Sequence, residues 1–157
     1  MQFLQFAVAV VISYLGLLAG FFLATMTREE LPTAKKYFPW LEKLVILAVA
    51  AFTLNFFNIN IFAKAAAYVL LLLFFIYRYN TKFVYAAFGA VVFAVSKNSS
   101  MFLITAALVF LFGLLSGSNN FNLKIRKRDF AMTAVNMLLN KLFYPAVAIV
   151  LFLAFGK

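Results

Sequence analysis

Long apolar stretches separated by short charged segments are the main pattern along this chain. Phe3–Met26 contains no charged residue, whereas the next segment, 27–38, contains five. About 20 apolar residues are enough for a helix to cross the hydrocarbon core of a membrane. The pattern therefore predicts a transmembrane helix over residues 3–26, followed by a segment in water.

The same pattern predicts five further helices. Polar breaks divide the rest of the chain at 57–60, 78–82, 96–100 and 117–129. The predicted helices cover residues 42–57, 60–77, 83–95, 101–116 and 130–155, the last of them interrupted by Pro145. The helices over 83–95 and 101–116 are short for a membrane span, so they are expected to form a re-entrant hairpin or to bury polar ends in protein. The sequence thus predicts an all-α polytopic membrane bundle, a single domain over 1–157 with about six transmembrane or partly re-entrant helices.

Composition indicates a membrane protein, and it changes how the positive net charge is interpreted. The chain is 67% hydrophobic and 11% charged, with a mean hydropathy of +1.03, and a soluble core of this size cannot absorb so much apolar surface. Its net charge of +10 would indicate nucleic acid in a soluble protein. Because the charges lie between apolar runs, we expect no nucleic-acid partner; the bilayer and its anionic lipid headgroups are the expected contacts.

The basic residues predict an orientation in the membrane. They concentrate in the first, third and fifth loops, and basic loops stay in the cytoplasm. The residues concerned are Arg28, Lys35, Lys36, Arg78, Lys82, Lys124, Arg126, Lys127 and Arg128. We therefore expect a multi-pass protein of the cell membrane with odd-numbered loops in the cytoplasm and both termini outside.

The sequence lacks the side chains that several kinds of chemistry require. The chain has no Cys and no His, which removes thiol and imidazole chemistry and most zinc or haem ligands. Its four acidic residues, Glu29, Glu30, Glu42 and Asp129, fall in loops or at predicted helix starts. The sequence therefore predicts no metal site, no cofactor and no enzyme activity.

Polar residues in the last predicted helix form one stripe. Thr133, Asn136, Asn140 and Tyr144 follow helical spacing, with Lys141 on their flank. Pro145 frees a backbone carbonyl beside them. This stripe is a candidate lining of a polar cavity or, alternatively, an interhelical hydrogen-bond seam. Lys141 by itself is explained by a side chain that extends to the cytoplasmic surface, and a third interpretation makes 124–141 an interfacial helix.

Two GxxxG motifs predict close helix packing. One comprises Gly16 and Gly20, extended by Ala24, and the other comprises Gly113 and Gly117. Small residues at this spacing let two helix backbones approach each other in a membrane.

Two functional classes remain. The first is a permease or channel-like subunit for a small solute, in which the stripe lines the path. The second is a non-catalytic accessory, assembly or scaffold subunit that uses its apolar and GxxxG surfaces to bind a larger partner. Because 157 residues enclose little space, either class favours a homo-oligomer or a membrane protein partner.

Overall fold

The computed structural model describes residues 3–27, 29–57, 59–77, 80–121 and 130–156, and every structural statement below concerns these residues. They form eight helices and no strand. The helices are α1 (Phe3–Met26), α2 (Leu31–Ala34), α3 (Phe38–Phe56), α4 (Ile61–Tyr77), α5 (Thr81–Val95), α6 (Ser99–Asn120), α7 (Phe130–Lys141) and α8 (Phe143–Phe155).

Helix length and composition agree with a membrane bundle. Within the described residues, α1, α3 and α6 are long and apolar enough to cross a bilayer. Helices α7 and α8 meet at a bend of 41° and together form a possible fourth span, while α4 and α5 are shorter apolar helices. The chain is thus an all-α, membrane-embedded helical bundle.

The two GxxxG motifs pack against each other inside the chain. A Cβ atom added at Gly16 or Gly20 would meet the backbone carbonyl of Phe110 or Leu114, and one at Gly113 would lie 2.8 Å from the Leu17 nitrogen. Residue numbers therefore rise together along α1 and α6, so the two helices run parallel. The backbones are in contact because glycine leaves no side chain between them.

Other close contacts fix the direction of the remaining helices. A Cβ atom at Gly89 of α5 would lie 2.6 Å from the Tyr144 carbonyl oxygen of α8, and the rings of Phe93 and Phe152 are 6.5 Å apart further along both helices. Helices α5 and α8 are therefore parallel. Helix α3 runs antiparallel to α6, because Asn119 near the end of α6 contacts Glu42 near the start of α3.

These directions give the bundle two distinct ends. We call one the loop end: α1 and α6 finish there, and α3, α5 and α7 begin there. The other is the terminal end, where Phe3 and Phe6 at the start of α1 lie 5.7 and 4.5 Å from Phe152 near the end of α8. The start of α1 and the end of α8 therefore lie at the same end of the molecule.

Three differences from the predicted helices exceed one or two residues. Helix α3 begins at Phe38 instead of residue 42, with Pro39 in its first turn, where proline loses no hydrogen bond. Helix α6 extends to Asn120 instead of residue 116 and is long enough for a complete span. The last predicted helix is two helices, because a break after Lys141 places Pro145 in the first turn of α8.

Candidate functional site

Two charged side chains are buried inside the described part of the bundle. Glu42 of α3 is 2% exposed and Lys141 of α7 is 7% exposed. A charge removed from water is unfavourable by several kcal/mol unless other groups compensate it. The surroundings of these two side chains therefore form the candidate functional site.

Lys141 extends from the end of α7 to the start of α5. Its ammonium group donates a hydrogen bond to the Thr81 hydroxyl and lies 5.2 Å from the centroid of the Tyr85 ring. Thr81 is the first residue of α5, so the ammonium group points to the loop end. This is the direction in which a Lys side chain reaches the membrane surface, yet here the side chain remains covered by protein.

Tyr85 contributes a buried hydroxyl to the site. Its side chain is 1% exposed, and no hydrogen-bond partner for its oxygen exists among the described residues. The buried Ser116 hydroxyl of α6 is close enough to interact with it, but without the geometry of a hydrogen bond. The Tyr85 ring packs edge-on against Phe112 at 5.3 Å.

Glu42 connects this interior to the loop end. The Asn119 amide donates to the Glu42 carboxylate at 3.4 Å, and the carboxylate interacts electrostatically with Lys141 and Tyr85. The neighbouring Asn120, which is exposed, donates to the Ser116 carbonyl at 2.7 Å. Polar groups thus continue from the surface of the loop end to the buried carboxylate.

A second group of hydroxyls lies deeper, between α1 and α8. Ser13 and Tyr144 share a hydrogen bond of 2.5 Å, and Ser13 also donates to the Val10 carbonyl at 2.9 Å. Tyr14 donates to the Leu138 carbonyl, and its ring lies 6.3 Å from that of Tyr144. We call the whole set the polar cluster; its members are Ser13, Tyr14, Glu42, Tyr85, Ser116, Lys141 and Tyr144.

Aromatic side chains fill the interior between the buried Glu42 and Lys141 side chains and the terminal end. The rings of Phe88 and Phe112 are 5.0 Å apart, and Phe6 packs 5.6 Å from Phe102 and 4.5 Å from Phe152. We call these five residues the phenylalanine layer. Thr105 is also buried on α6, between Phe102 and Phe112 along that helix. The interior is therefore mainly polar toward the loop end and mainly apolar toward the terminal end.

The predicted stripe on the last helix is divided by the structure. Lys141 and Tyr144 are buried, Thr133 is partly buried, and Asn136 and Asn140 are exposed. On α7 the inward positions are Met137 and Lys141, four residues apart on one face. The structure therefore brings two of the five predicted residues into the polar cluster.

The other predicted residues have varied surroundings. Gly16, Gly20, Ala24, Gly113 and Gly117 are buried along α1 and α6. Lys35 donates to the Phe121 carbonyl at 2.6 Å, and Lys36 and Lys82 are exposed. The remaining predicted basic residues lie outside the described residues: Arg28, Arg78, Lys124, Arg126, Lys127 and Arg128.

Sequence reasoning did not select Glu42, Tyr85, Ser13 or Ser116. Glu42 was expected at the start of a helix because the predicted helix begins at residue 42, four residues after the start of α3. In α3 Glu42 occupies the second turn and faces α6. The other three residues are polar groups inside apolar runs, and this feature is visible in the sequence. A hydroxyl within a membrane helix needs a partner, so it indicates the face that contacts protein.

The chain matches no family model, no curated protein and no solved structure with which it was compared. The functional argument therefore rests on the side chains of the polar cluster and their surroundings.

Proposed function

We propose that the protein is a small membrane permease that moves a small solute through the polar cluster. The supporting observation is the burial of Lys141 and Glu42 in the bundle interior. Ionisable side chains within membrane bundles are unfavourable and mark solute or ion paths in many membrane proteins. Apolar side chains of similar size would hold the helices together without that penalty.

The unequal halves of the bundle favour a carrier over an open channel. Polar groups lead inward from the loop end through Asn120, Ser116 and Glu42, whereas the phenylalanine layer fills the interior beyond them. A solute bound at the polar cluster would cross only if that layer opened. The proposed cycle therefore alternates between access from the loop end and access from the terminal end.

The proposed orientation places the loop end in the cytoplasm. The basic residues of the sequence concentrate in the segments that join helices at this end, and such segments are retained in the cytoplasm. In this arrangement both termini face outward in the cell membrane, and the polar cluster faces the cytoplasm. Impermeant thiol reagents applied to intact cells should therefore modify Lys97→Cys and leave Lys36→Cys unmodified.

The first test of the permease proposal compares Lys141→Met with Asn140→Leu. The two positions are adjacent, but Lys141 is buried and Asn140 is exposed. We expect Lys141→Met to lose function and remain folded, because methionine keeps the bulk of the side chain and removes only the ammonium group that bonds Thr81 and interacts with Glu42. Asn140→Leu should keep both function and stability. Growth complementation in the native host and melting of the purified variants provide the two readouts.

Full complementation by a folded Lys141→Met variant would contradict the permease proposal. It would favour the second candidate, an accessory subunit of a larger membrane complex. The observation in favour of that candidate is α4, of which every described side chain is at least partly exposed. Such a helix is available to a partner, and substitutions at its exposed Leu70 would then impair growth while those at Lys141 would not.

A further inference from the structure

The break between α7 and α8 interrupts the hydrogen bonds of the helix backbone. In a regular helix the Leu142 N–H would donate to Leu138, four residues earlier, but here it donates to the Leu139 carbonyl at 3.4 Å. Pro145 has no N–H to donate to the Lys141 carbonyl. Two carbonyls at the end of α7 thus lose their regular helical donors. A proline with released backbone groups beside it is a common place for a helix to bend.

Two consecutive side chains of α1 bind the chain on either side of this break. The Tyr14 hydroxyl donates to the Leu138 carbonyl of α7 and so replaces a donor that the break removes. Ser13 shares its hydrogen bond with Tyr144, in the first turn of α8. Helix α1 therefore holds α7 and α8 by separate hydrogen bonds.

Packing holds α8 more firmly than it holds α7. A Cβ atom at Gly89 of α5 would lie 2.6 Å from the Tyr144 carbonyl oxygen, so the backbones of α5 and α8 are in contact. Over residues 131–141 of α7, only Met137 and Lys141 are buried, and Lys141 is held by a hydrogen bond to α5. Outward movement of α7 would exchange such bonds for bonds to water at little net cost, whereas movement of α8 would open a packed backbone contact.

We infer that α7 is the loop-end gate of the proposed permease, that it turns at the break after Lys141, and that the Tyr14 hydroxyl holds it closed. The inference rests on the proposed function, because it assigns the step that opens the polar cluster to the loop end. When α7 moves outward, Lys141 leaves the cover of the bundle, while α8 keeps the Phe152 ring 4.5 Å from that of Phe6. The phenylalanine layer then stays closed while the loop end is open, as alternating access requires.

Hydrogen exchange of the whole purified protein in a neutral detergent measures this movement. Tyr14→Phe keeps the ring and removes only the hydroxyl that bonds Leu138. Loss of one such hydrogen bond should make local opening more frequent by a factor of about two to ten. We expect the amides of 131–141 to exchange faster by that factor in Tyr14→Phe, and those of 146–155 to exchange as in the native protein. Tyr68→Phe, on α4, is the matched control and should leave both segments unchanged.

Thiol reactivity provides a second measurement of the same movement. Met137→Cys places a thiol at a buried position of α7, where a water-soluble reagent reaches it only when α7 moves outward. It should react slowly with Tyr14 in place and several-fold faster in the Tyr14→Phe background. Asn136→Cys is the matched control on the same helix, because Asn136 is exposed and its reaction should not depend on Tyr14.

Equal exchange of 131–141 in Tyr14→Phe and in the native protein would overturn the gate, and so would a Met137→Cys that stays unmodified with Tyr14 in place. An equal increase of exchange in all helices would overturn it as well, because it would show general destabilisation. These measurements involve no solute, so their failure leaves a permease with another moving part. Conversely, full complementation by a folded Lys141→Met would remove the permease and leave the movement of α7 in a protein that does not transport.

Discussion

At the scale of single residues, burial separates side chains that the sequence places side by side. Asn140 and Lys141 are neighbours, yet only Lys141 enters the polar cluster. The hydroxyls of the cluster differ in the same way, because Tyr144 is bonded to Ser13 whereas Tyr85 has no partner among the described residues. Similar residues therefore make different contributions to stability.

The two tyrosines provide a matched stability test. Tyr144→Phe breaks the buried bond to Ser13 and should destabilise the protein by about 1 kcal/mol. Tyr85→Phe removes a hydroxyl that bonds to nothing described, so the free energy of unfolding should stay the same or increase. Thermal melting checks both. A larger loss of stability for Tyr85→Phe than for Tyr144→Phe would contradict the assigned hydrogen bonds.

The sequence identifies candidate polar residues more readily than it shows which of them face the interior of the bundle. Lys141 and Tyr144 follow from their positions in an apolar run, but Asn136 and Asn140 appear equally suitable. The buried positions Met137, Lys141, Tyr144 and Ala148 keep helical spacing across the break after Lys141, and this buried face is rotated from the predicted stripe. The stripe was drawn through the polar side chains, whereas the contacts of α7 with the other helices decide which face is buried, and the sequence of one helix does not contain those contacts.

At the scale of helices, the contact between α1 and α6 is the feature that the sequence predicts most directly. The GxxxG spacing predicts that a partner backbone approaches Gly16 and Gly20. It does not identify the partner, which the structure places at Phe110 and Leu114 of the same chain. The motifs face each other inside the molecule and are therefore not free to bind a second protein.

Substitution of these glycines should damage the fold. Gly20→Ile would push an isoleucine into the Leu114 backbone, and overpacking of this kind destabilises by about 1 to 3 kcal/mol or more. Ala107→Ile on α6 is the matched control, because Ala107 is exposed and its side chain can face lipid. We expect a lower melting temperature for Gly20→Ile alone. Equal melting of both variants would contradict the parallel contact of α1 and α6.

Helix boundaries show where local pattern stops being informative. The hydropathy pattern predicts that the helix corresponding to α6 ends at residue 116, because Ser118, Asn119 and Asn120 are polar. In the structure these residues remain helical because the bundle provides partners: Ser118 donates to the Gly20 carbonyl at 2.8 Å and Asn119 to Glu42. Tertiary contacts therefore lengthen a helix that hydropathy alone would shorten.

At the scale of the whole molecule, the described bundle is polar at one end and closed at the other. The polar cluster joins α1, α3, α5, α6, α7 and α8, while the phenylalanine layer lies between its charged members, Glu42 and Lys141, and the terminal end. Four open grooves of 440 to 600 Å³ in the described bundle are lined mainly by apolar side chains, with Ser13 of the polar cluster and Phe88 and Phe152 of the phenylalanine layer among them. A solute path through this molecule therefore requires the phenylalanine layer to open.

Thiol accessibility tests that requirement most directly, and the chain has no native Cys. Single cysteines are placed at Ser116 in the polar cluster and at Thr105, between Phe102 and Phe112 of the phenylalanine layer; both positions are buried on α6. Leu103→Cys is the lipid-facing control on the same helix, at a position 63% exposed. Lys36→Cys and Lys97→Cys mark the loop end and the terminal end.

An impermeant reagent is then added to intact cells or to inside-out vesicles. We expect the reagent to modify Ser116→Cys from the loop end, the side from which it modifies the Lys36→Cys marker. It should modify Thr105→Cys more slowly and from the terminal end, the side from which it modifies the Lys97→Cys marker. Leu103→Cys should stay unmodified, because thiols react poorly in lipid. Unmodified Thr105→Cys from both sides, in a folded variant with both markers reactive, would contradict a solute path through the polar cluster.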